Sequence, residues 1–284
     1  MNIQTTEAYT LLKPKQAVPL VMDSPHSSPV FPKDFNPALP LEDLRDGEDV
    51  FIDELWSHAP DHGAHLLLAE FARTYIDPNR HVGDVDLAMI EGEWPHAYEP
   101  SGKARIGKSL IWRTLDDGRP IYNRKLSVDE VHQRIQRYAL PYQAQLQKLI
   151  NEHHQQFGVC YHINCHSMSA VSGKMGEGGA GIARADVVLG DRDGTTCSAE
   201  FTHLVKDFMQ QCGYEVKIND PFKGVELVRA FSNPAQGKHS LQIELNKRLY
   251  TDASGRDKGP GYDKLNQDLI ALTALLADFS KHKI

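Results

Sequence analysis

Apolar runs along this chain repeatedly end in polar segments, a pattern that predicts strands leading into loops. Residues 17–22 form one such run, and the polar segment 23–29 that follows presents His26 between two prolines. Residues 159–163 form a second strand-compatible run, after which polar residues begin abruptly at Asn164. Because ligands of open α/β sheets bind beyond the carboxyl ends of strands, we expect function at both junctions.

Segments with helical spacing of apolar residues lie between the predicted strands. We predict a helix from about Asp46 within residues 41–60, and a long helix from about Ser127 to Gln156. Ser127 and Glu130 form a capping-box pattern at its start, and Pro141 is expected to kink or split it. The remaining predictions are helices at 198–212 and 261–282 and strands at 73–76, 185–189, 214–219 and 241–246. Helices that alternate with strands indicate an α/β fold.

Two glycine-rich regions interrupt these elements. Residues 81–122 contain turn-forming residues throughout, together with aromatic residues that favour packing, so we expect an active-site wall or a lid. Residues 171–181 lack the GxxxxGK[ST] pattern and lead into a predicted strand, which argues against a phosphate-binding loop. A flexible wall beside the site fits this segment better. Neither region resembles a linker, so residues 1–284 are interpreted as a single catalytic domain.

Composition narrows the possible functions. The 284 residues are 40% hydrophobic and 24% charged, with a formal net charge of −7, which speaks against general nucleic-acid binding. An anionic substrate would therefore have to meet locally placed Arg or Lys side chains. The four cysteines include no CxxC pair, and the sequence contains neither a signal peptide nor a membrane span. We expect a cytoplasmic enzyme that acts on a small molecule and needs no disulfides.

Five positions at or near the predicted junctions carry candidate chemistry, and each also has a structural interpretation. His166 is a candidate metal ligand or general base, or else a core histidine bound to a backbone carbonyl. The acids at 48 and 49 are candidate ligands or ordinary first-turn helix acids. Two histidines and a carboxylate, with a further carboxylate nearby, are the parts of a mononuclear zinc hydrolase. The candidate positions are His26, Glu48-Asp49, Asn79-Arg80, His166 and Glu244.

Glu244 stands out because it lies between apolar residues in the last predicted strand. An unpaired buried carboxylate is costly, so it either pairs with Lys247 or Arg248 or serves chemistry with a tuned pKa. The Asp77-Pro78-Asn79-Arg80 segment also has two interpretations. It is either an Asx-type turn with a surface arginine, or a turn whose arginine binds a carboxylate bidentately. A nucleophilic Cys165 beside His166 is disfavoured, because neighbouring strand residues point to opposite faces.

Four separated motifs resemble those of the N-formylglutamate amidohydrolases, also called N-formylglutamate deformylases. They occur in a consistent order, and the resemblance extends from about residue 18 to 275. The motifs are Asp23-Ser24-Pro25-His26-Ser27, Arg73-Thr74-Tyr75-Ile76-Asp77-Pro78-Asn79-Arg80, Cys165-His166-Ser167-Met168 and Leu241-Gln242-Ile243-Glu244.

The resemblance implies a three-layer α/β fold, a mixed central sheet with helices on both faces, similar to the zinc carboxypeptidases and aspartoacylase. It further implies hydrolysis of N-formyl-L-glutamate to formate and L-glutamate, in one route of histidine degradation. One zinc ion is expected at His26, His166 and Asp49, with Glu48 as the alternative acid.

The remaining roles also come from the resemblance. Glu244 resembles the general base, and Asn79 with Arg80 resembles the pair that binds a substrate carboxylate. A dicarboxylate needs a further cation, for which Arg113, Arg184 and Arg229 are candidates. Two alternatives remain: an amidohydrolase of the same architecture acting on another N-acyl amino acid, and a metal-binding protein without catalysis.

Overall fold

The computed structural model describes residues 2–175 and 179–284, and an eight-stranded sheet forms its centre. Residues 176–178, part of the glycine-rich segment predicted to form a flexible wall, lie outside the described residues. Two very short strands, β5 and β6, pair separately from the main sheet. The strands in chain order are β1 (Asn2–Thr5), β2 (Tyr9–Lys13), β3 (Leu20–Ser24), β4 (His65–Ala69), β5 (Ile90–Glu91), β6 (Leu126–Ser127), β7 (Cys160–Met168), β8 (Val187–Gly190), β9 (Val216–Ile218) and β10 (Lys238–Asn246).

The main sheet has the order β1-β2-β4-β3-β7-β10-β8-β9. Its four central strands, β4, β3, β7 and β10, run parallel to one another. Strands β2 and β8 flank them in the antiparallel direction. The sheet is therefore mixed, and the carboxyl ends of its four parallel central strands meet at one edge, where a ligand site is expected.

Helices cover both faces of this sheet, as the sequence predicts for an α/β protein, so the predicted fold class is confirmed in this form. No helix among the described residues has the length and apolar content needed to cross a bilayer. The α-helices are α1 (Leu41–Leu44), α2 (Ile52–Leu55), α3 (Val128–Arg134), α4 (Leu140–Phe157), α5 (Ala199–Gln211), α6 (Glu226–Phe231) and α7 (Tyr262–Lys281).

Two hydrophobic cores hold these layers together. On one face, α4 contributes Leu146 and Ile150 to a core that includes Val21 of β3. On the other, α5 and α7 pack over strand residues such as Ile163 and Ile243. Each fully buried side chain of this kind contributes about 2 kcal/mol through apolar burial. The β7 residues Tyr161, Ile163 and Cys165 enter the second core, so the polar residues that alternate with them face the opposite side of the sheet.

Several predicted elements appear with shifted ends. The predicted long helix begins at α3, where the Ser127 hydroxyl accepts from the Glu130 amide at 3.1 Å, while the Glu130 carboxylate accepts from Arg124 and Arg134, so half of the predicted capping box forms. A π-helical turn at Ile135–Ala139 precedes Pro141, so the helix adjusts where proline offers no N–H. The other predictions recovered are the strands at 17–22, 185–189, 214–219 and 241–246, which appear as β3, β8, β9 and β10, and the helices at 198–212 and 261–282, which appear as α5 and α7.

The helix predicted from Asp46 is wrong. A 3₁₀ turn at Arg45–Gly47 gives way to an extended Glu48, and Phe51 adopts a left-handed conformation with φ of 62° just before α2. The Asp49 amide donates to the His26 carbonyl at 3.0 Å, which holds this stretch in place. The chain leaves the helical path here because Asp49 is drawn towards the loop after β3.

Two further predictions need correction. The strand predicted at 73–76 is a turn, in which the Tyr75 amide donates to the carbonyl of Ala72 at 3.0 Å. The strand predicted at 159–163 does not end there but continues to Met168, and all nine residues of β7 are buried. Polar residues from Asn164 onward therefore belong to the strand and not to a loop.

Candidate active site

The carboxyl-terminal ends of three central strands bring the candidate residues together. His26 follows β3, while His166 and Glu244 lie on β7 and β10. Glu244 pairs in register with His166 across these two parallel strands, so both side chains share one face of the sheet. Cys165 belongs to the core on the opposite face, as its position next to His166 predicts.

His26, Asp49 and His166 form a buried cluster from three separate parts of the chain. The Nδ1 atoms of the two histidines lie 3.1 Å apart. Oδ2 of Asp49 lies 3.0 Å from Nδ1 of His166 and 3.5 Å from Nδ1 of His26. Within the described residues, this is the one group of three His, Cys, Asp or Glu side chains whose atoms converge closely enough to hold a metal ion.

Of the two adjacent acids, the structure brings Asp49 into this cluster and turns Glu48 away. Both carboxylate oxygens of Glu48 accept from the Arg45 guanidinium, at 2.7 and 3.1 Å. Neighbouring residues in extended backbone point in opposite directions, so the extended conformation at Glu48 accounts for the separation.

The hydrogen-bond partners of each histidine fix its tautomer. Nε2 of His26 lies 2.7 Å from Oδ1 of Asp77, a carboxylate that only accepts, so Nε2 carries the proton. Nε2 of His166 lies 2.7 Å from Oδ1 of Asn164 and 3.2 Å from Nδ2 of Asn79, and the shorter contact with the acceptor assigns the proton to Nε2. The Asn164 amide nitrogen donates to Asp23 at 2.7 Å, which orients its oxygen towards His166. Nδ1 of each histidine therefore faces the cluster.

Burial and neighbouring charges set the protonation of His166 and Asp49. Burial lowers the pKa of His166 and so favours its neutral form. Burial alone would raise the pKa of Asp49, but its hydrogen bonds with His166 and His26 and the charge of Arg73 lower it overall. Two histidine nitrogens and an ionised carboxylate thus converge, an arrangement that a cation stabilises.

Glu244 occupies the cavity wall next to this cluster. Its Oε1 accepts from the Gln242 side chain at 2.8 Å. Burial, and then the negative charge of Asp49, raise the pKa of the Glu244 carboxyl to about 8. A carboxyl group that titrates near neutral pH can both take up and release a proton during turnover.

A buried polar network supports the cluster from beneath. Both oxygens of Asp23 are used: Oδ1 lies 2.8 Å from Nε2 of His162, and Oδ2 accepts from the Tyr142 hydroxyl at 2.7 Å. The other ring nitrogen of His162 lies 2.6 Å from the Ser240 hydroxyl. These side chains are at most 1% exposed, so the Ser-His-Asp array holds the strands in register and does not meet a substrate.

A cavity of about 150 Å³ opens onto the cluster and Glu244. Its apolar walls come from Trp112, Phe222 and Met168. Trp112 belongs to the loop-rich region 81–122, so part of that region does form a wall of the cavity, while its action as a lid stays a prediction. The cationic and amide side chains that line the cavity are Arg73, Asn79, Arg80, Lys103, Arg184, Gln242 and Lys247.

The structure brings some predicted substrate contacts to the cavity and leaves others outside. Asn79 and Arg80 line it, and Arg80 is held by bonds from Nε and Nη1 to the carbonyls of Lys108 and Asn79, both 2.9 Å. Arg113 instead pairs with Asp86 at 2.8 Å, and Arg229 is half-exposed and pairs with Glu226 at 2.9 Å. Neither lines the cavity, because each is held by an acid close in sequence or in the same loop region.

Sequence reasoning also missed residues that shape the site. Arg73 lies 3.0 Å from Asp77 and 3.9 Å from Asp49, so it connects the acid behind His26 with the acid in the cluster. Its place in the Arg-rich motif 73–80 was the available signal. Asn164 was passed over as a loop residue, although its alternation with His162 and His166 is the period of a strand face.

Comparison with known proteins agrees with the likeness inferred from the motifs. The family model described as N-formylglutamate amidohydrolase matches residues 18–251. A protein named N-formylglutamate deformylase from Pseudomonas putida is 25% identical over 249 residues, covering 83% of this chain and 82% of its own length. A relative of the same name from Pseudomonas aeruginosa is 25% identical over 242 residues, with 83% of each chain covered.

Solved structures extend the likeness to the fold. The crystal structure of N-formylglutamate amidohydrolase from Ralstonia eutropha JMP134 is 42% identical, covers 98% of this chain and 100% of its own, and superposes with a TM-score of 0.92. A gene product of Agrobacterium tumefaciens shares the fold at 14% identity, with a TM-score of 0.66 and 96% and 92% of the two chains covered. Since the family model spans most of the sequence, the chain belongs to the N-formylglutamate amidohydrolase family.

Proposed function

We propose that this protein hydrolyses N-formyl-L-glutamate to formate and L-glutamate with one zinc ion held by His26, Asp49 and His166. The observation that carries the proposal is the convergence of three lone-pair donors next to Glu244. Support for the substrate comes from the names of relatives that match over most of their length.

The donor set suits zinc. Two histidine nitrogens and one carboxylate are a ligand set found in catalytic zinc sites, which leave a fourth position open. Asp77 behind His26 and Asn164 behind His166 supply the partners that such ligands need to keep their orientation. A zinc ion bound there would supply a Lewis acid that acidifies water and polarises the formyl carbonyl.

Proton transfer falls to Glu244 in this proposal. The attacking water gives a proton to the Glu244 carboxylate, and its oxygen forms the new bond to the formyl carbon. The carbon–nitrogen bond then breaks, and Glu244 passes the proton to the leaving nitrogen, so that formate and the free amine of glutamate result. Burial and the charge of Asp49 raise the pKa of the Glu244 carboxyl to about 8, and the positive charge of a zinc ion bound beside it would favour the carboxylate that accepts the proton.

Asn79 and Arg80 are proposed to bind the α-carboxylate. The two backbone carbonyls that accept from Arg80 fix its guanidinium plane. Among the described residues, Nη2 of Arg80 has no hydrogen-bond partner, so it is available to a carboxylate oxygen. Asn79 is equally fixed, since its Oδ1 accepts from the Leu227 amide at 2.9 Å.

The proposal includes a place for the reaction in histidine degradation and in the cytoplasm. Both come from the family resemblance, and the four free cysteines are compatible with a reducing compartment. The related hypotheses of a different N-acyl amino acid substrate, or of a metal-binding protein without catalysis, predict different outcomes in the same assay.

The test measures formate released from N-formyl-L-glutamate by the zinc-loaded protein, by the protein after chelation, and by Glu244→Gln. We expect chelation to abolish release and zinc to restore it. Glu244→Gln should retain stoichiometric zinc but release formate at least about 100-fold more slowly, since it cannot accept a proton. Undiminished release after complete metal removal would refute the zinc mechanism, whereas zinc binding without release from any N-acyl amino acid would favour the silent metal-binding protein.

A further inference from the structure

Among the described arginines that line the cavity, Arg184 is the one with no carboxylate paired to it. The described residues place no acidic oxygen within 4.0 Å of its guanidinium, whereas Arg45, Arg73, Arg80, Arg113 and Arg229 each have an acidic partner. Its Nη1 makes one long bond of 3.4 Å to the Ser169 carbonyl, and its Nε is buried without a partner. A partly buried guanidinium with open donors is costly unless an anion completes it.

The surroundings hold Arg184 in position without neutralising it. Its guanidinium carbon lies 4.8 Å from the centre of the Phe222 ring, within cation–π range. The Asn246 side chain donates to the backbone carbonyls of Arg184 and Ala185, at 3.3 and 2.9 Å, which anchors the chain just before β8. Burial lowers the pKa of the guanidinium, as expected for a partly buried cation without a neighbouring carboxylate.

Arg184 and Arg80 reach the cavity from opposite ends of the row of central strands. Arg80 belongs to the chain that follows β4, whereas Arg184 precedes β8, and these strands lie on either side of β3, β7 and β10. Both side chains line the same cavity, so the two cations approach it from opposite ends of this row.

We propose that Arg184 binds the side-chain carboxylate of the substrate and thereby selects N-acyl amino acids with an acidic side chain. The inference rests on the proposed function of the same site. Arg80 and Arg184 then divide the two carboxylates of the substrate between them, with the scissile amide near Glu244. Phe222 shields the Arg184 ion pair from water, which strengthens it.

The test compares kcat/KM for N-formyl-L-glutamate and N-formyl-L-glutamine, which match in shape and differ in the side-chain charge. We expect wild-type protein to prefer the glutamate substrate, and Arg184→Gln to lose about 10- to 100-fold on it, the range of a charge-assisted bond pair. The glutamine substrate should stay within about threefold. Arg80→Gln should impair both substrates alike, and Arg229→Gln, which removes the same charge outside the cavity, should change neither.

Binding of the products separates failure of this inference from failure of the proposed function. Calorimetry should show that wild-type protein binds L-glutamate more tightly than L-glutamine, and that Arg184→Gln removes the difference, whether or not turnover occurs. Absent turnover with this binding difference intact would refute the hydrolase activity alone. If Arg184→Gln lowered kcat/KM equally for both substrates and shifted the pH profile, Arg184 would act through Glu244 and the inference would be wrong. It would also be wrong if the preference of Arg184→Gln for the glutamate substrate matched that of the wild-type protein.

Discussion

At the scale of single residues, Asn164 holds His166 in one tautomer because the two ends of its amide have different partners. Its nitrogen donates to Asp23, and its oxygen lies 2.7 Å from Nε2 of His166. If the amide were reversed, its nitrogen would face the N–H of His166 and its oxygen would face the Asp23 carboxylate. Each group left unsatisfied inside the protein would cost about 1–3 kcal/mol. The orientation of one side chain thus determines which nitrogen of His166 faces the proposed zinc site.

Replacing Asn164 with leucine should weaken zinc binding by about 10- to 100-fold, because Nε2 of His166 loses the acceptor that fixes its proton. The dissociation constant can be measured by competition with a chromophoric chelator. Cys165→Ala is the matched control, since it alters the adjacent residue of β7 on the opposite face. An unchanged zinc dissociation constant in Asn164→Leu would show that the tautomer does not depend on Asn164.

At the scale of elements, the acidic stretch around α2 contains carboxyl groups with opposite tasks. Asp49 precedes the left-handed Phe51 and joins the cluster with His26 and His166, whereas Asp53 lies in the first turn of α2. Burial raises the pKa of Asp53 to about 6. A raised pKa means that the folded protein holds this proton more tightly than the unfolded chain does, so ionisation of Asp53 lowers the free energy of unfolding.

Asp53→Asn should therefore stabilise the protein at neutral pH. The folded state binds more protons than the unfolded state between the ordinary pKa of 3.8 and the raised value of about 6, so stability falls as pH rises through this interval. We expect a gain of about 2 kcal/mol in the free energy of unfolding at pH 7.5, and almost none near pH 4. Urea unfolding of the chelated protein measures it, with the exposed helix acid Asp129→Asn as control. A gain that is the same at both pH values would contradict this origin.

β7 shows how far strand prediction reaches and why it stops. The apolar run at 159–163 predicts the strand, whereas the polar residues from Asn164 predict a loop, although the strand continues to Met168. Asn164 lies opposite Asp23 of β3, and His166 lies opposite Glu244 of β10. A polar side chain can occupy a buried strand when neighbouring strands provide its partners, and those neighbours are distant in sequence. The period of two at 162, 164 and 166 was the local signal.

At the scale of the whole molecule, the sequence predicts the α/β class and the strands β3, β7, β8, β9 and β10, but not β1, β2, β4 or α6. The cluster formed by His26, Asp49 and His166 agrees with the predicted ligand set, whose role in metal binding stays a prediction. The arginines were harder to assign, because the role of a guanidinium depends on which acid it pairs with. Arg113 and Arg229 are held by acids outside the cavity, whereas Arg184 is not.

The three side chains of the proposed zinc site come from segments that are far apart in the sequence and that only the folded sheet brings together. His26 and Asp49 lie in loops after β3, and His166 follows more than a hundred residues later on β7. The unfolded chain cannot hold the three side chains together, so zinc binds the folded state preferentially and must stabilise it. At a free zinc concentration about 1,000 times the dissociation constant, the gain is about 4 kcal/mol.

For a protein of this size, such a gain raises the melting temperature by roughly 8–15 °C. We expect this shift between chelated and zinc-loaded wild-type protein in a thermal unfolding experiment. His26→Ala should lower the melting temperature of the chelated protein, because Asp77 loses its buried partner, yet respond little to zinc. The difference between the loaded and chelated forms is therefore the informative quantity. If His26→Ala showed the full wild-type shift, zinc would be binding elsewhere, and the three converging side chains would need another cation or a shared proton.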